Sequence, residues 1–397
     1  MIIEPRIKGF ICTTAHPAGC AKNIINNLDY LDNQDKINLP GIKNALIIGG
    51  STGYGLASAM TASFSLGASV TAVALEKNAK ANRTATAGLY NLAEYKKQAD
   101  ARNLKLEIII ADAFSNQAKA QTLKVLNAPV DLLVYSIAAP ARVDPNTGER
   151  YASVLKPVGR EYKSRGIDLN NYKINEVSVA PASESEIANT VKVMGGEDLK
   201  LWTDYLYQNN MLSKGAVILA YSYIGPEITH DIYLNGTVGA AKTNLKDISD
   251  ELNNLYPVKS YISVNKALVT QASSAIPVMP LYISVLFKVM KEKDLHEDCT
   301  EQIYRLFRKL EAGGADITDA NGFIRLDDRE MREDVQSEVS RRWDRVTDDN
   351  IGELADLSGY RGDFIRLFGF GLEGVDYGAD AEPAVDEAAL GMISLIE

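Results

Sequence analysis

The chain has 397 residues, 46% of them apolar and 24% charged, and a formal net charge of −10. That length carries one large α/β domain with additions, or two modest domains. The acidic balance argues against nucleic acid as the main partner, because phosphate binding needs clustered Lys and Arg, while a local basic patch for an acidic ligand stays open.

The N-terminus, MIIEPR, lacks the basic start and long apolar run of a signal peptide. Cys12 and Cys20 flank His16, and the third cysteine, Cys299, lies far downstream. An odd, sparse set of thiols points to a reducing compartment, with the cytoplasm as the expected location. No second Cys/His pair follows at zinc spacing, so this segment reads as packed chain with small thiols and no metal is expected.

The first strand is the apolar run Asn44 to Ile48 (NALII), and a glycine loop follows it, Gly49-Gly50-Ser51-Thr52-Gly53-Tyr54-Gly55. A helix-like stretch comes next, Leu56 to Leu66, and then a second apolar run, Ser69 to Leu75, ending at Glu76. Strand, glycine turn, helix and acidic strand end make up a dinucleotide-binding pattern. The pyrophosphate sits at a helix N-terminus, and glycines let the backbone turn sharply and approach it. Glu76 lies 21 residues beyond Gly55, near the spacing of an acid that takes the adenosine ribose hydroxyls. A carboxylate there also repels the extra phosphate of NADPH, although Lys77 beside it softens that discrimination. No Lys-Ser/Thr pair follows the last glycine, which counts against a P-loop.

Further on, the pattern predicts a helix over Leu89 to Ala101, a strand over Leu106 to Ala111 ending at Asp112, and a strand over Asp131 to Tyr135. Two later strands are expected at Ala216 to Tyr221 (AVILAY) and Lys259 to Val264 (KSYISV), with a helix from near Gly236 through Leu252 between them. This alternation implies an α/β fold: a doubly wound parallel sheet of the Rossmann type, with helices on both faces and additional N- and C-terminal elements. The expected division is residues 1–80 for N-terminal elements and the glycine loop, 81–317 for the catalytic part with a substrate-binding helix, and 318–397 for a C-terminal helical addition with a loose tail near Gly378 to Asp386. Ala275 to Met290 is apolar but broken by Pro277 and Pro280, too short for a membrane span.

After the AVILAY strand come Tyr223, Tyr233 and Lys242. A Tyr–Lys couple at this place is the chemical centre of the short-chain dehydrogenase/reductase superfamily. Reducing an activated alkene puts hydride on the β-carbon and negative charge on the carbonyl oxygen, and a phenol can donate to that enolate. A nearby ammonium lowers the phenol's pKa and holds the nicotinamide ribose. The usual spacing is Tyr-x3-Lys on one helix face. Here eight residues separate the two, and nine steps of about 100° put them on opposite faces of a regular helix. Tyr233 must therefore sit on a turn ahead of the helix, which Gly236 permits. Tyr223 is the other candidate, for orienting a thioester carbonyl or for plain core packing.

The segments MIIEPRIKGFICTTAHPAGC, GGSTGYGLAS, YSYIGPEITHDIYLNGTVGAAK and VTQASSAIPVMPLYISVLFKVMKEK resemble the trans-2-enoyl-CoA/enoyl-ACP reductases of the FabV type, within that superfamily. The similarity continues through MREDVQSEVSRRW and GDFIRLFGFG near the end, and the Tyr-x8-Lys spacing is specific to the group. The resemblance implies a monomeric, NADH-dependent enzyme of bacterial fatty-acid synthesis. It implies that Gly49, Gly50, Ser51, Thr52, Gly53 and Tyr54 hold the pyrophosphate, that Leu75 and Glu76 meet the adenosine ribose, and that Asp112 and Ala113 flank the adenine. By the same resemblance Ile137 and Ala138 border the nicotinamide, Tyr223 contacts substrate, Tyr233 is the proton donor, Lys242 binds cofactor, and Leu268, Val269 and Thr270 close over the nicotinamide. The C-terminal part resembles a segment labelled FAD-binding in such proteins, yet it carries no flavin fingerprint and FAD is not expected.

The segment after Thr270 reads two ways. Its apolar face can line an acyl channel while Lys288, Lys291 and Lys293 meet the phosphates of CoA or the acidic carrier protein, or it is a core helix with a solvated end. The rival functions are a ketone or alcohol dehydrogenase of the same superfamily, which the wide Tyr–Lys spacing opposes, and a non-catalytic dinucleotide sensor.

Overall fold

Apolar runs without alternation form strands buried on both faces, and such strands build the centre of the molecule. The computed structural model describes residues 1–9, 11–81, 83–169, 171–314 and 317–396. In chain order the main sheet takes β1 (Asn44–Ile48), β2 (Ser69–Ala74), β3 (Leu106–Ile110), β4 (Val130–Tyr135), β5 (Leu212–Ser222), β6 (Lys259–Val264), β7 (Phe323–Arg325) and β8 (Ile393–Ser394). Their spatial order is β7-β6-β5-β4-β1-β2-β3-β8, and every neighbouring pair is parallel. The winding reverses between β1 and β4, which opens a crevice at the carboxyl ends of those two strands.

Side chains alternate across the sheet with period two. Ala45, Ile47, Leu132 and Val134 face one core with the helices Gly53–Met60, Ala87–Ala101, Met279–Glu292 and Cys299–Ala312. Leu46, Ile48, Leu133 and Tyr135 face the other core with Asn116–Val125, Glu197–Gln208 and Thr237–Leu255. This is the doubly wound α/β fold expected from the alternation.

Several boundaries differ from the sequence reading. The helix after the glycine loop starts at Gly53, earlier than Leu56, and ends by widening into a π-turn over Thr61–Ser65. β5 begins at Leu212, and its register slips between Leu212 and Val217, where Gly215 adopts φ +82°. Between β4 and β5 the chain forms two antiparallel hairpins, Ala141–Val143 with Arg150–Ala152 and Tyr162–Asp168 with Lys173–Val179, which the sequence reading did not anticipate. The tail near Gly378 to Asp386 is irregular but anchored: the Tyr90 hydroxyl donates to the Pro383 carbonyl, and Asn78 pairs with the backbone of Val385 in both directions. The chain then adds β8 to the sheet edge beside β3. Among the described residues no helix is long and apolar enough to cross a membrane.

Candidate active site

The glycine loop lies at the mouth of the crevice. Gly49 has φ +86°, and a Cβ there would stand 2.1 Å from the Ser136 carbonyl oxygen just past β4, so only glycine fits. Thr52 caps the following helix without a side-chain hydrogen bond, which leaves the first N–H groups of the Gly53–Met60 helix for an anion. A Cβ on Gly53 would meet nothing within 4 Å, so a phosphate can approach the backbone there. Loop and helix end thus fit a dinucleotide pyrophosphate. Tyr54 turns away from this space. Its hydroxyl donates to the Lys266 carbonyl (3.1 Å) and accepts from Gln302 Nε2 (3.0 Å), which ties the loop to the segment after β6.

Glu76 follows β2 and is partly buried. Ser51 Oγ donates to its Oε1 at 2.5 Å, and the carboxylate occupies the space a Cβ on Gly88 would take, over the first turn of the Ala87–Ala101 helix. Burial pushes its carboxyl above the ordinary value, and the Ser51 and Thr86 hydroxyls pull it back. Leu75 beside it is exposed. After β3, Asp112 Oδ1 accepts from the Phe114 N–H at 3.0 Å. The Ala113 carbonyl accepts from Trp202 Nε1 (3.1 Å) and Lys119 Nζ (3.3 Å). Ile137 and Ala138 follow β4, Ile137 partly buried and Ala138 exposed. Leu268 and Val269 are buried, and Thr270 caps the short Gln271–Ser274 helix in a reciprocal bond with Ser273. All these positions therefore share the carboxyl edge of the sheet.

Tyr233 and Lys242 each lie against a residue at the end of β5. The chain makes a short helix, Glu227–His230, then a turn that carries Tyr233, and the Thr237–Leu255 helix begins after Gly236. The Tyr233 carbonyl accepts from both Gly236 N (3.1 Å) and Gly239 N (3.0 Å). A Cβ on Gly239 would lie 1.8 Å from the Leu234 carbonyl oxygen, so this glycine lets the turn rest on the helix. The Tyr233 ring stands edge-on to Tyr223 with centroids 4.9 Å apart. Lys242 Nζ donates to the Tyr221 carbonyl at 2.8 Å. Tyr233 thus sits on a turn ahead of the helix with its ring on Tyr223, while the Lys242 ammonium rests on the Tyr221 carbonyl. Burial raises the Tyr233 hydroxyl pKa well above the ordinary phenol value, opposite to the lowering expected from a nearby ammonium, and it pulls the Lys242 ammonium down to about 8.

The sequence reading missed a buried polar cluster beneath these groups. The Glu330 carboxylate is wholly inaccessible. It accepts from the Tyr223 hydroxyl (3.0 Å) and the Tyr282 hydroxyl (2.6 Å) at Oε1, and from the Ala267 N–H (2.6 Å) at Oε2. Lys266 is almost fully buried beside it, with Nζ on the Ala267 carbonyl (3.1 Å) and over the Phe287 ring. Burial lowers its ammonium to about 8. Near Ala113 a second cluster pairs Lys119 with Asp198 (2.9 Å), and the Tyr135 hydroxyl donates to the same carboxylate. No motif marks either cluster, because single acids inside helical or loop sequence look solvated until the fold encloses them.

His16 Nδ1 accepts from the Gly19 N–H and caps the Pro17–Asp32 helix. Among the described residues no group of three or more His, Cys, Asp or Glu is placed to hold a metal ion. The Met279–Glu292 helix is almost entirely buried, a core helix. At its end Lys291 pairs with Asp356 (2.7 Å) and Lys293 with Asp334 (3.0 Å), so two of the three lysines suggested for phosphates are spent inside the molecule.

Fold and site together define a dinucleotide-dependent oxidoreductase built on the Rossmann plan. Three family models match the chain in succession: the NAD(P)H binding domain of trans-2-enoyl-CoA reductase over residues 2–81, the trans-2-enoyl-CoA reductase catalytic region over 83–310, and an enoyl reductase FAD binding domain over 318–381. The chain belongs to the trans-2-enoyl-CoA reductase family. It is 49% identical over 394 residues to an enoyl-[acyl-carrier-protein] reductase [NADH] of Flavobacterium johnsoniae, covering 97% of this chain and 99% of the relative. It is 48% identical over 388 residues to a trans-2-enoyl-CoA reductase [NADH] of Clostridium perfringens, covering 96% and 99%. The trans-2-enoyl-CoA reductase of Treponema denticola in complex with NAD superposes with a TM-score of 0.92 at 42% identity, over 97% of this chain and 99% of that one. The Clostridium acetobutulicum enzyme in complex with NADH gives 0.92 at 39% identity, over 98% and 99%.

In the segment matched to a FAD binding domain, the Glu333–Arg345 helix offers no N-terminus for a flavin pyrophosphate. β7 runs into Asp327, a fully buried carboxylate held by Arg325. The Glu333–Arg345 helix beyond it opens with Glu333 and Asp334, and two acids in a first turn repel phosphate.

Proposed function

We propose that this chain reduces the trans-2 double bond of an enoyl thioester with NADH, on CoA or on acyl carrier protein, as the last reductive step of fatty-acid elongation in the cytoplasm. The arrangement at the end of β5 carries the reading: a half-buried phenol on a turn, an ammonium on the helix behind it, and the dinucleotide crevice beside both.

Bound NADH supplies the hydride that goes to C3 of the substrate. The chain's residues do the rest. The Gly49–Tyr54 backbone and the helix end hold the pyrophosphate, and Glu76 takes the ribose hydroxyls. The Tyr233 hydroxyl donates to the thioester oxygen as negative charge builds there and then passes its proton on. Its raised pKa keeps it protonated, and so able to donate, until that charge appears. Lys242 holds the nicotinamide ribose and steadies the phenolate that forms. Tyr223 walls the substrate side, and Leu268, Val269 and Thr270 cover the nicotinamide. The unit that acts is the monomer, and sedimentation at micromolar protein would return a dimer mass if it were not.

Mixing the protein with NADH and either crotonyl-CoA or acetoacetyl-CoA, and following absorbance of the reduced nicotinamide, tests the reaction. Oxidation is expected with crotonyl-CoA alone. Oxidation with acetoacetyl-CoA would make the protein a ketone reductase, and binding of NADH without turnover would make it a sensor.

Glu76 gives a second expectation. Replacing it with alanine removes a charge-assisted bond to the ribose and the repulsion of a 2′-phosphate. The ratio of kcat/KM for NADH over NADPH is expected to fall by about tenfold or more. An unchanged ratio would place the discrimination elsewhere.

A further inference from the structure

Two tyrosine hydroxyls lie close to the proposed reaction centre, and only one of them can be the donor. Their surroundings differ. The Tyr223 hydroxyl donates to Glu330 Oε1 at 3.0 Å. The Tyr233 hydroxyl has no hydrogen-bond partner among the described residues, and its ring touches Tyr223 edge-on. Glu330 comes from the C-terminal segment, outside the strands and helices that carry the loop, the phenol and the ammonium.

We propose that Glu330 is a positioning residue: its carboxylate accepts the hydrogen bond of the Tyr223 hydroxyl, fixes that ring as a wall of the substrate site, and so leaves Tyr233 as the donor to the thioester oxygen. This rests on the enoyl reduction proposed above.

The geometry supports the assignment at three points. Burial raises the Glu330 carboxyl above its ordinary value while the Tyr282 hydroxyl, the Ala267 N–H and Lys266 pull it back, and with both oxygens engaged as acceptors each phenol bonded to it donates inward. Tyr223 and Tyr282 share Oε1, one from the end of β5 and one from the Met279–Glu292 helix. Oε2 takes the Ala267 N–H, which begins the segment that runs on to Leu268, Val269 and Thr270. One buried carboxylate thereby sets the spacing between the strand end, the core helix and the segment proposed to cover the nicotinamide. Glu330 itself is held from behind, because Gln336 Nε2 donates to its backbone carbonyl (2.7 Å) and to the Tyr282 hydroxyl oxygen (3.3 Å).

Glu330→Gln is an isosteric probe. Its amide oxygen can keep the Ala267 bond, while its NH2 replaces the oxygen that accepts from both phenols and reverses their donor order. Steady-state kinetics with NADH and crotonyl-CoA are compared for the parent, E330Q, Tyr223→Phe and the double variant, with NADH affinity followed by fluorescence. In the parent background E330Q is expected to lower kcat/KM for crotonyl-CoA about tenfold, with NADH affinity changed less than about twofold. In the Tyr223→Phe background the same substitution is expected to cost less than about threefold, because the hydroxyl it misdirects is gone. Equal losses in both backgrounds, or no loss in the parent, would overturn the proposal, since a purely structural carboxylate has no reason to act through one hydroxyl. Should E330Q fail to fold, Glu330→Asp keeps the charge, shortens the reach and is expected to show the same coupling to Tyr223. A parent protein inactive on crotonyl-CoA would sink the reaction itself and this inference with it, a result read from the parent alone.

Discussion

Replacing Tyr233 with phenylalanine is expected to cut kcat for enoyl-thioester reduction by about 100-fold or more, the loss that follows removal of a positioned acid. The substitution takes away one oxygen and nothing else. The ring keeps its edge contact with Tyr223, and the backbone of the turn stays bonded to Gly236 and Gly239. Stability should hold, because the lost hydroxyl has no partner among the described residues whose bond would go unmade. NADH affinity should also hold within about twofold, since the glycine loop, Glu76 and Lys242 are untouched. The expected signature is a fall in kcat at a near-constant melting temperature and near-constant NADH affinity. Full activity in this variant would move the donor to another group, and Tyr223 would be the first to test.

Much of this arrangement was legible in the sequence, and the reason is physical. β1 and β2 are largely apolar runs closed by glycine or polar residues, and such runs have little choice but burial on both faces. The turn bearing Tyr233 followed from helical phase alone, because a residue nine positions from Lys242 cannot share its face. What stayed hidden depends on contacts between distant parts of the chain. The strand Lys173–Val179 reads KINEVSV, whose mixed alternation is easily lost in a polar stretch, and its burial is only partial. β8 is two residues long and exists only because β3 offers it an edge. Its neighbour, the irregular tail, looked loose because its order comes from Tyr90 and Asn78, some three hundred residues earlier. Glu330 closes the charged run Asp327-Asp328-Arg329-Glu330, just ahead of MREDVQ, and such sequence predicts a solvated surface. Three donors from three other segments turn it into a fully enclosed acid. Lys291 and Lys293 were readable either as a phosphate surface or as a solvated helix end, and their ion pairs with Asp356 and Asp334 come from distant segments that the sequence does not place beside them.

Lys242→Met is expected to weaken NADH binding by about tenfold or more and to lower kcat as well, because the ammonium contributes charge-assisted bonds to the cofactor and stabilises the phenolate. Its proton state gives the sharper test. Burial brings Lys242 down to about 8, with the Tyr221 carbonyl as its partner at 2.8 Å. As pH rises through about 8 the ammonium is lost, so NADH affinity should decline above that pH; the negative cofactor favours the charged form and shifts this limb upward in the complex. In the methionine variant the limb should vanish. Lys266 also titrates near 8, so a limb that survives in Lys242→Met would belong to Lys266 and the cluster around Glu330. Stability should run the other way. A lysine whose folded pKa lies below its unfolded value, about 10.4, binds its proton more tightly when unfolded, so this group adds stability as pH climbs from about 8 toward 10.4 and withholds it below. Methionine fills a similar volume and carries no charge to bury, so at neutral pH the variant should be at least as stable as the parent. Loss of binding and turnover together with a melting temperature equal to or above the parent's would separate a lysine kept for the cofactor from one kept for the fold. A variant with parental NADH affinity and turnover would remove Lys242 from the site.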